Sequence, residues 1–390
     1  MIKVLSVADY FLPGFKAGGP IRTLLNMSRI LHGAVVFGFL TRDHDLGNSK
    51  PYEGIHAGRW KEYPHGQVYY APNRAFGRLA LERALSAGDF DVIYLNSFFS
   101  LKGSIAIVWR NWRRSFGLPL LLAPRGEFSP GALALKGGRK RFFIWLSRKL
   151  GMYRLVYWHA STQDEKNDIS SQFPDAASRI FVAEDPVDIR EKPPLSSAVK
   201  TDGLARLAFI SRISPKKNLI GLLEILQNVQ SAVELEIYGP IEDKEYWKKC
   251  LASIAKLPVH VLVRHKGELQ PEEVRTAFAQ ADLFAFPTHG ENFGHVIFEA
   301  LQAGTPVLTS DQTPWQPDGT NAVARLPLGA LEEWRAYIET VAQLSDSEQK
   351  ARRADALRYA ERYAASEKTR LDNLRMFQEI AKQNKMKVIK

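Results

Sequence analysis

Cysteine is nearly missing from this chain. Cys250 is the single one among 390 residues, which excludes an internal disulfide framework and fits a reducing compartment. Long apolar runs are missing too. None approaches the ~18 uninterrupted apolar residues of a spanning helix. The opening MIKVLSVADYFLPG is cut short by Asp9 and has no small-residue cleavage site, so it reads as a first strand rather than a secretory signal. Repeats and low-complexity tracts are absent, and the nine histidines have no zinc-ligand spacing. Acidic residues are scarce in one place. Between Val92 and Gln163 twelve lysines and arginines face one acid, Glu127. That local excess of eleven equals the formal charge of the whole chain, +11, so the imbalance belongs to one surface.

What is present is the composition of a soluble globular protein, 45% hydrophobic and 24% charged, long enough for two domains. Short apolar runs alternate with helical patterns. In the first half they are IKVLSVA (2–8), VVFGFL (35–40), DVIYL (91–95), PLLLA (119–123), VYWHAS (156–161) and RIFVA (179–183). Near-continuous apolar runs are those of parallel strands covered on both faces. Helices such as RTLLNMSRILHG (22–33) lie between them. REKPPLSSAVKTDG (190–203), rich in Pro, Ser and charge, reads as a linker. The alternation restarts with LAFI (207–210), ELEIYG (234–239), VHVLV (259–263), DLFAF (282–286) and PVLT (306–309). Two βαβ series predict an α/β chain of two doubly wound, Rossmann-like domains facing across a cleft. Their ligands would lie beyond the carboxyl ends of the strands. The expected boundaries are 1–195, a linker at 196–204, 205–365, and a final helix at 366–390 able to pack on either domain.

The segment GENFGHVIFEALQAG (290–304) carries two glutamates, Glu291 and Glu299, eight positions apart. Glu291 lies in the loop THGEN and Glu299 inside the helix FGHVIFEALQAG that follows. Counted as helix, eight residues advance ~12 Å and return to within about a quarter turn. The two carboxylates would then meet one elongated ligand. Between them a helix start offers the amides of Phe293 and Gly294 to an anion. After the strand LAFI, SRISPKKN (211–218) supplies Arg212, whose planar fork suits phosphate, and Lys217, a point charge. Hydroxyls at both ends and phosphates between them describe a sugar–diphosphate–ribose, with no metal needed to neutralise it.

The pair FISRISPKKN and FPTHGENFGHVIFEALQAGTPV resembles retaining glycosyltransferases of family four, which have the GT-B fold. The matching positions are Arg212, Lys217, Glu291, Phe293, Gly294 and Glu299. GGPIR (18–22) looks like the family's Gly-Gly loop, and APRGEFSPGAL (123–133) is similar to a subgroup that builds bacterial surface polysaccharides. The resemblance implies a catalytic set of Arg212, Lys217 and Glu291. It also implies donor contacts from Gly18, Gly19, Lys266, Asn292, Phe293, Gly294 and Glu299, the last on the ribose, with Asn96 and Arg125 on the acceptor side. The first domain would face the acceptor and the second the nucleotide sugar. No cofactor is implied beyond the nucleotide-diphosphate sugar, which is a substrate. The chain departs from the family where Asn96 replaces a frequent histidine, where Asn218 follows Lys217 in place of glycine, and where Thr313-Pro314-Trp315 replaces a Gly-Gly pair. An amide at 96 cannot titrate, so no general base is expected there.

Three features have two readings. Asp43-His44-Asp45 has the form of a metal-binding DxD of the GT-A fold, but a chain that repeats its nucleotide-binding pattern favours an ordinary loop. In RKRFFIWLSRKL (139–150), Phe142, Phe143, Leu146 and Leu150 share one face, with Arg141 and Arg148 opposite beside Ile144 and Trp145. This is either a core helix with a solvated back or, over 136–154, a contact with an anionic membrane. Nucleic acid would attract the same charge, yet no binding motif accompanies it. The expected function is transfer of a sugar to a glycan or lipid-linked glycan. The expected place is the cytoplasm, peripheral at the inner face of the cytoplasmic membrane. The alternatives are a non-catalytic module of the same fold and a sugar-nucleotide epimerase.

Overall fold

The computed structural model describes residues 1–134, 137–187 and 199–388. The chain divides into two compact units, Met1–Asp188 with Ser366–Lys390, and Ile189–Ala365. In the first, β1 (Ile2–Val7) leads to α1 (Gly19–Ile30), β2 (Val35–Arg42), β3 (Trp60–Tyr63), β4 (Gly66–Ala71), α2 (Arg78–Ser86) and β5 (Val92–Asn96). Then follow α3 (Ala106–Arg113), β6 (Leu120–Ala123), α4 (Pro130–Ala134), α5 (Gly137–Lys149), β7 (Tyr157–Ala160), α6 (Gln163–Gln172) and β8 (Ile180–Val182).

These strands make one sheet in the order β3-β4-β2-β1-β5-β6-β7-β8, in which β3 and β4 pair antiparallel and the remaining pairs are parallel. The apolar runs are the strands because both faces are covered. Leu5, Val7, Ile93, Leu95, Leu120 and Leu122 pack against Leu81 of α2, Ile107 of α3 and Ile144 of α5. Val4, Phe37, Phe39, Tyr94 and Leu121 pack on the other side, against Ile21, Leu24 and Met27 of α1.

The second unit runs β9 (Leu204–Ile210), α7 (Leu219–Leu226), β10 (Ala232–Tyr238), α8 (Lys244–Ile254), β11 (Val261–Gly267), α9 (Val274–Gln280) and β12 (Leu283–Phe286). It continues with α10 (His295–Gln302), β13 (Val307–Ser310), β14 (Val323–Leu326), α11 (Leu331–Ala342) and α12 (Asp346–Ala364). Its sheet is parallel in the order β11-β10-β9-β12-β13-β14. That is the dinucleotide-binding order, in which the chain works outward from its first strand, returns, and works outward on the other side. The first unit repeats it around β1. Each sheet therefore has a switch point, between β1 and β5 and between β9 and β12, where the loops leaving two neighbouring strands part to opposite faces.

The last helix, α13 (Glu367–Val388), belongs to the first unit. Phe377 lies edge-on to Phe37 and Tyr94, with ring centroids 5.7 and 5.6 Å apart, and Met376 and Ile380 are buried beside it. Each such side chain contributes about 1.5–3 kcal/mol by leaving water. Asn373 donates to the carbonyl of Glu184 at 2.9 Å, fixing the helix to the segment after β8.

Several readings from the sequence change. The hairpin of β3 and β4 and the strand β14 carry no long apolar run and are additions. The expected helix 22–33 begins earlier, at Gly19, with Pro20 in its first turn where a missing N–H costs nothing. The linker at 190–203 lies largely outside the described residues. Its described end is held by Lys200, whose ammonium donates to the carbonyls of Thr201, Leu204 and Ala342. In α5 the face is not the one the sequence suggests. Ile144 and Ser147 are buried and Phe143 is partly so, whereas Phe142 (62% exposed), Trp145 (50%), Leu146 and Leu150 stand in solvent. Ser147 satisfies its buried hydroxyl within the helix, donating to the carbonyl of Ile144 at 2.9 Å. Among the described residues no helix is long and apolar enough to cross a membrane.

Candidate active site

At the second switch point the loop after β9 begins with Ser211 and Arg212. Its path is set by Gly239 at the end of β10, where a Cβ would come within 2.0 Å of the Ser211 carbonyl oxygen. Only glycine lets the two backbones lie this close. Arg212 reaches Glu242 at 2.8 Å with both side chains nearly half exposed, so the pair is loosely held and its guanidinium can turn to another anion.

Asn218 follows a turn at Pro215–Lys217 and adopts a left-handed backbone, φ 56°. Asparagine tolerates this conformation better than most residues. Its side-chain oxygen accepts from Gly221 N and caps α7, while its amide donates to the carbonyl of Pro287 at 2.9 Å. His289 N donates to the carbonyl of Lys216 at 2.9 Å. The loops leaving β9 and β12 are thereby fastened together. At this seam Lys217 Nζ meets Glu291 Oε1 at 2.6 Å, with side chains 13% and 11% exposed. Thr288, fully buried, donates its hydroxyl to the same carboxylate oxygen at 3.0 Å. The ammonium also stands 5.5 Å from the centre of the Phe286 ring.

Glu291 is not part of α10. The helix starts at His295 behind a left-handed Gly294 that provides no side-chain cap, so the turn-counting from Glu291 to Glu299 does not hold. Glu291 is set instead by the loop, where its N–H donates to the carbonyl of Gln312 at 3.2 Å. Glu299 lies on the second turn of α10, Asn292 is half-buried and Phe293 is buried. The Thr313-Pro314-Trp315 departure has a visible consequence. The Trp315 indole N–H donates to the carbonyl of Phe293 at 2.6 Å, and its ring packs on Phe293 and Tyr363. Lys266 lies elsewhere, on edge strand β11, 3.3 Å from Glu236.

At the first switch point Gly18 (φ 70°) precedes α1 and Gly19 is its first residue. Asn96 ends β5 with its amide turned inward to Ser6 Oγ and the carbonyl of Val7, at 3.2 and 3.3 Å. Its side-chain oxygen accepts from Arg125 at 2.8 Å. Arg125 also donates to Asp185 at 2.5 Å and to the Tyr94 hydroxyl at 2.7 Å, and its side chain is 8% exposed. Burial works against the guanidinium charge, but the Asp185 carboxylate together with Tyr94 and Glu165 outweighs it and holds the pKa above the ordinary value. Burial and then the Arg125 charge push His159 down to about 4, so it stays neutral while accepting from Tyr94 and donating to Ala183 O. Asn96 and Arg125 are thus brought together, with the Asn96 amide and both terminal nitrogens of Arg125 bonded inside the unit.

Sequence reasoning missed the residues that hold these loops. Asp185 closes the Arg125 network and accepts from Thr23 of α1. Glu127, the lone acid of the basic region, accepts from the N–H groups of Phe98 and Phe99 and from Ser97 Oγ. That clamp sustains a strained Ser97, φ 103°. Its position in an otherwise acid-free stretch was the one available signal. Among the described residues no group of three or more His, Cys, Asp or Glu side chains is arranged to hold a metal ion.

Residues 196–360 match the family described as Glycosyl transferases group 1. Glycogen synthase of Mycobacterium tuberculosis is 28% identical over 170 residues, which is 43% of this chain and 39% of that protein. D-inositol 3-phosphate glycosyltransferase of Frankia alni is 28% identical over 60% of each chain. The chain thus spans well under half of the first of these relatives. Across nearly the whole chain the structure is similar to Anabaena Alr3699/HepE in complex with UDP and glucose. The TM-score is 0.67 at 19% identity, covering 99% of this chain and 100% of that one. It is also similar to sucrose-phosphate synthase of Thermosynechococcus elongatus, with a TM-score of 0.66 at 15% identity over 99% and 98% of the two chains. The fold is GT-B.

Proposed function

We propose that this GT-B chain is a retaining, metal-independent glycosyltransferase of family four that takes its sugar from a nucleotide-diphosphate donor. The observation that carries the reading is the Lys217–Glu291 pair at the switch point of the second sheet. Its partners suit two chemistries side by side: a carboxylate for sugar hydroxyls and an ammonium for the departing diphosphate. Arg212, loosely paired with Glu242, adds the second cation. Asn292, Phe293 and Gly294 present the start of α10 to the donor, Glu299 takes the ribose, and backbone near Lys266 takes the base. The carbon–phosphate-oxygen bond of the donor breaks while the acceptor oxygen bonds the same carbon on the same face. The acceptor's proton passes to the leaving phosphate oxygen. No protein base is required, so the protein supplies positioning and charge.

Gly18 and Gly19 form the loop that touches donor phosphates and acceptor, and Asn96 with Arg125 shapes the acceptor side. The acceptor is a glycan or lipid-linked glycan of bacterial surface polysaccharide synthesis. The outward face of α5, where Phe142, Trp145 and Leu146 stand among Arg139, Arg141, Arg148 and Lys149, rests on an anionic membrane.

The test is a thermal-shift screen of UDP-, GDP-, ADP- and dTDP-sugars, followed by transfer assays with the donor that raises the melting point. A raised melting point with turnover supports the reading. Binding without turnover or donor hydrolysis points to a non-catalytic module, and no shift with any of the four overturns the donor assignment.

A further inference from the structure

Asp43-His44-Asp45 lies just past the carboxyl end of β2, beside the loop that leaves β1. Asp45 is 4% exposed. Its Oδ2 accepts from two consecutive backbone N–H groups, Phe15 at 3.0 Å and Lys16 at 3.3 Å, and its Oδ1 accepts from Leu46 N at 2.8 Å. Successive N–H groups aimed at one point form an anion nest, here filled by the protein's own carboxylate. The same loop is gripped at two further points. Tyr70 donates to the carbonyl of Leu12 at 2.8 Å and Tyr52 to that of Phe11 at 3.4 Å. A Cβ on Gly14 would lie 2.2 Å from the Tyr52 hydroxyl and 2.8 Å from Asp45 Oδ1, so the loop is pressed against both. From Phe15 the chain turns, with Gly18 N donating to Phe15 O at 2.9 Å, directly into α1.

We propose that Asp45 is a positioning residue of the active site: it holds the loop 14–19 and the amino end of α1 in the geometry that receives the donor phosphates. This rests on the reading of that loop in the preceding subsection. The donor set also argues against the metal role that the spacing suggests. Both carboxylate oxygens of Asp45 already face N–H groups, and Asp43 is held by the His44 ring at 2.8 Å. Asp45→Asn keeps the clamp and Asp45→Ala does not, because a single oxygen in the place of Oδ2 serves both Phe15 and Lys16, and the amide gives up only the bond from Leu46 N–H, which lies outside the loop.

The experiment compares Asp45→Ala and Asp45→Asn with the full chain, and with Leu81→Ala as a destabilised control in the core beneath the opposite face of the sheet. Hydrogen exchange of the peptide spanning 12–20 is read first, since it needs no substrate. Asp45→Ala should speed exchange at Phe15 and Lys16 about tenfold, whereas Asp45→Asn stays near wild type. With the donor selected by the screen, Asp45→Ala should raise the donor KM about tenfold and leave kcat within about threefold. Asp45→Asn should restore KM, and Leu81→Ala should lower the melting point without moving KM. Unchanged exchange in Asp45→Ala overturns the inference, as does a KM shift shared by the control. Activity that rises with added Mn²⁺ and loses that rise in Asp45→Asn overturns it too. A wild-type protein inert with every nucleotide sugar refutes instead the functional reading, leaving the exchange result to decide the clamp.

Discussion

Replacing Lys217 by alanine separates the chemistry proposed for the second switch point from its structural role. The ammonium lies 2.6 Å from Glu291 with both side chains mostly withdrawn from water. Removing one member of a fully buried ion pair costs about 3–5 kcal/mol. Here the abandoned carboxylate keeps the Thr288 hydroxyl at 3.0 Å and some contact with solvent. The folding cost should therefore be nearer 1–2 kcal/mol, a fall of about 2–8 °C in the melting of a domain this size. The catalytic cost should be larger. A donor aimed at charge that develops in the transition state is worth about 2.7–4 kcal/mol, or 10²–10³ in kcat. Nucleoside diphosphate release, measured at saturating donor beside a circular-dichroism melt, gives both numbers. Glu291→Gln combined with Lys217→Ala should lose less than the sum of the single effects, because the two groups act as one unit. A Lys217→Ala protein with kcat within about threefold of wild type would refute the assignment of this cation to the leaving diphosphate.

Asn218→Ala should cost about 2–3 kcal/mol in urea unfolding, from the left-handed backbone and the lost cap, and Asn218→Gly only about 1 kcal/mol; equal costs would discard the backbone argument. Burial, with Glu165 and Asp164 nearby, pushes Asp168 up to about 6. A carboxyl raised on folding penalises the folded state above its folded pKa, and the penalty vanishes below the unfolded value near 4. Asp168→Asn should then gain about 1 kcal/mol at pH 7.5, after discounting for partial exposure, and nothing at pH 3.5, as read by calorimetry. Replacing Phe142, Trp145 and Leu146 together by serine should weaken sedimentation with phosphatidylglycerol vesicles about 10²-fold, at roughly 1 kcal/mol for each partly inserted side chain. Equal binding to phosphatidylcholine vesicles would remove the anionic surface from the account.

The fold was readable because parallel strands buried on both faces leave continuous apolar runs, and eleven such runs became strands of the two sheets. Trp60–Tyr63 and Val323–Leu326 escaped because edge strands carry polar residues on one side. For α5 periodicity identified the helix but not its buried side, since that side carries the polar Ser147 beside Ile144 while larger apolar groups stand outside. At the site, spacing led to Lys217 and Glu291 through the resemblance. The loop before the helix was read correctly around Glu291, but the helix starts at His295 rather than Phe293, so helical turn-counting does not relate Glu291 to Glu299. The ion pair that holds Arg125 could not be read, because its partner Asp185 is sixty positions away. Residues that hold loops through backbone groups, such as Asp45 and Asn218, leave no pattern in a sequence that states this role. Their meaning depends on which N–H groups the fold brings to them.

One half of the molecule is discontinuous along the chain, and synthesis feels this directly. The hydrophobic floor formed by Phe37, Tyr94 and their neighbours emerges from the ribosome early, while Met376, Phe377 and Ile380, which roof it, come out only after the whole of the other half. The half that starts first must finish last. Until then its apolar surface stands uncovered, so a fragment stopped before α13 is an unfinished object prone to aggregate rather than a small independent domain.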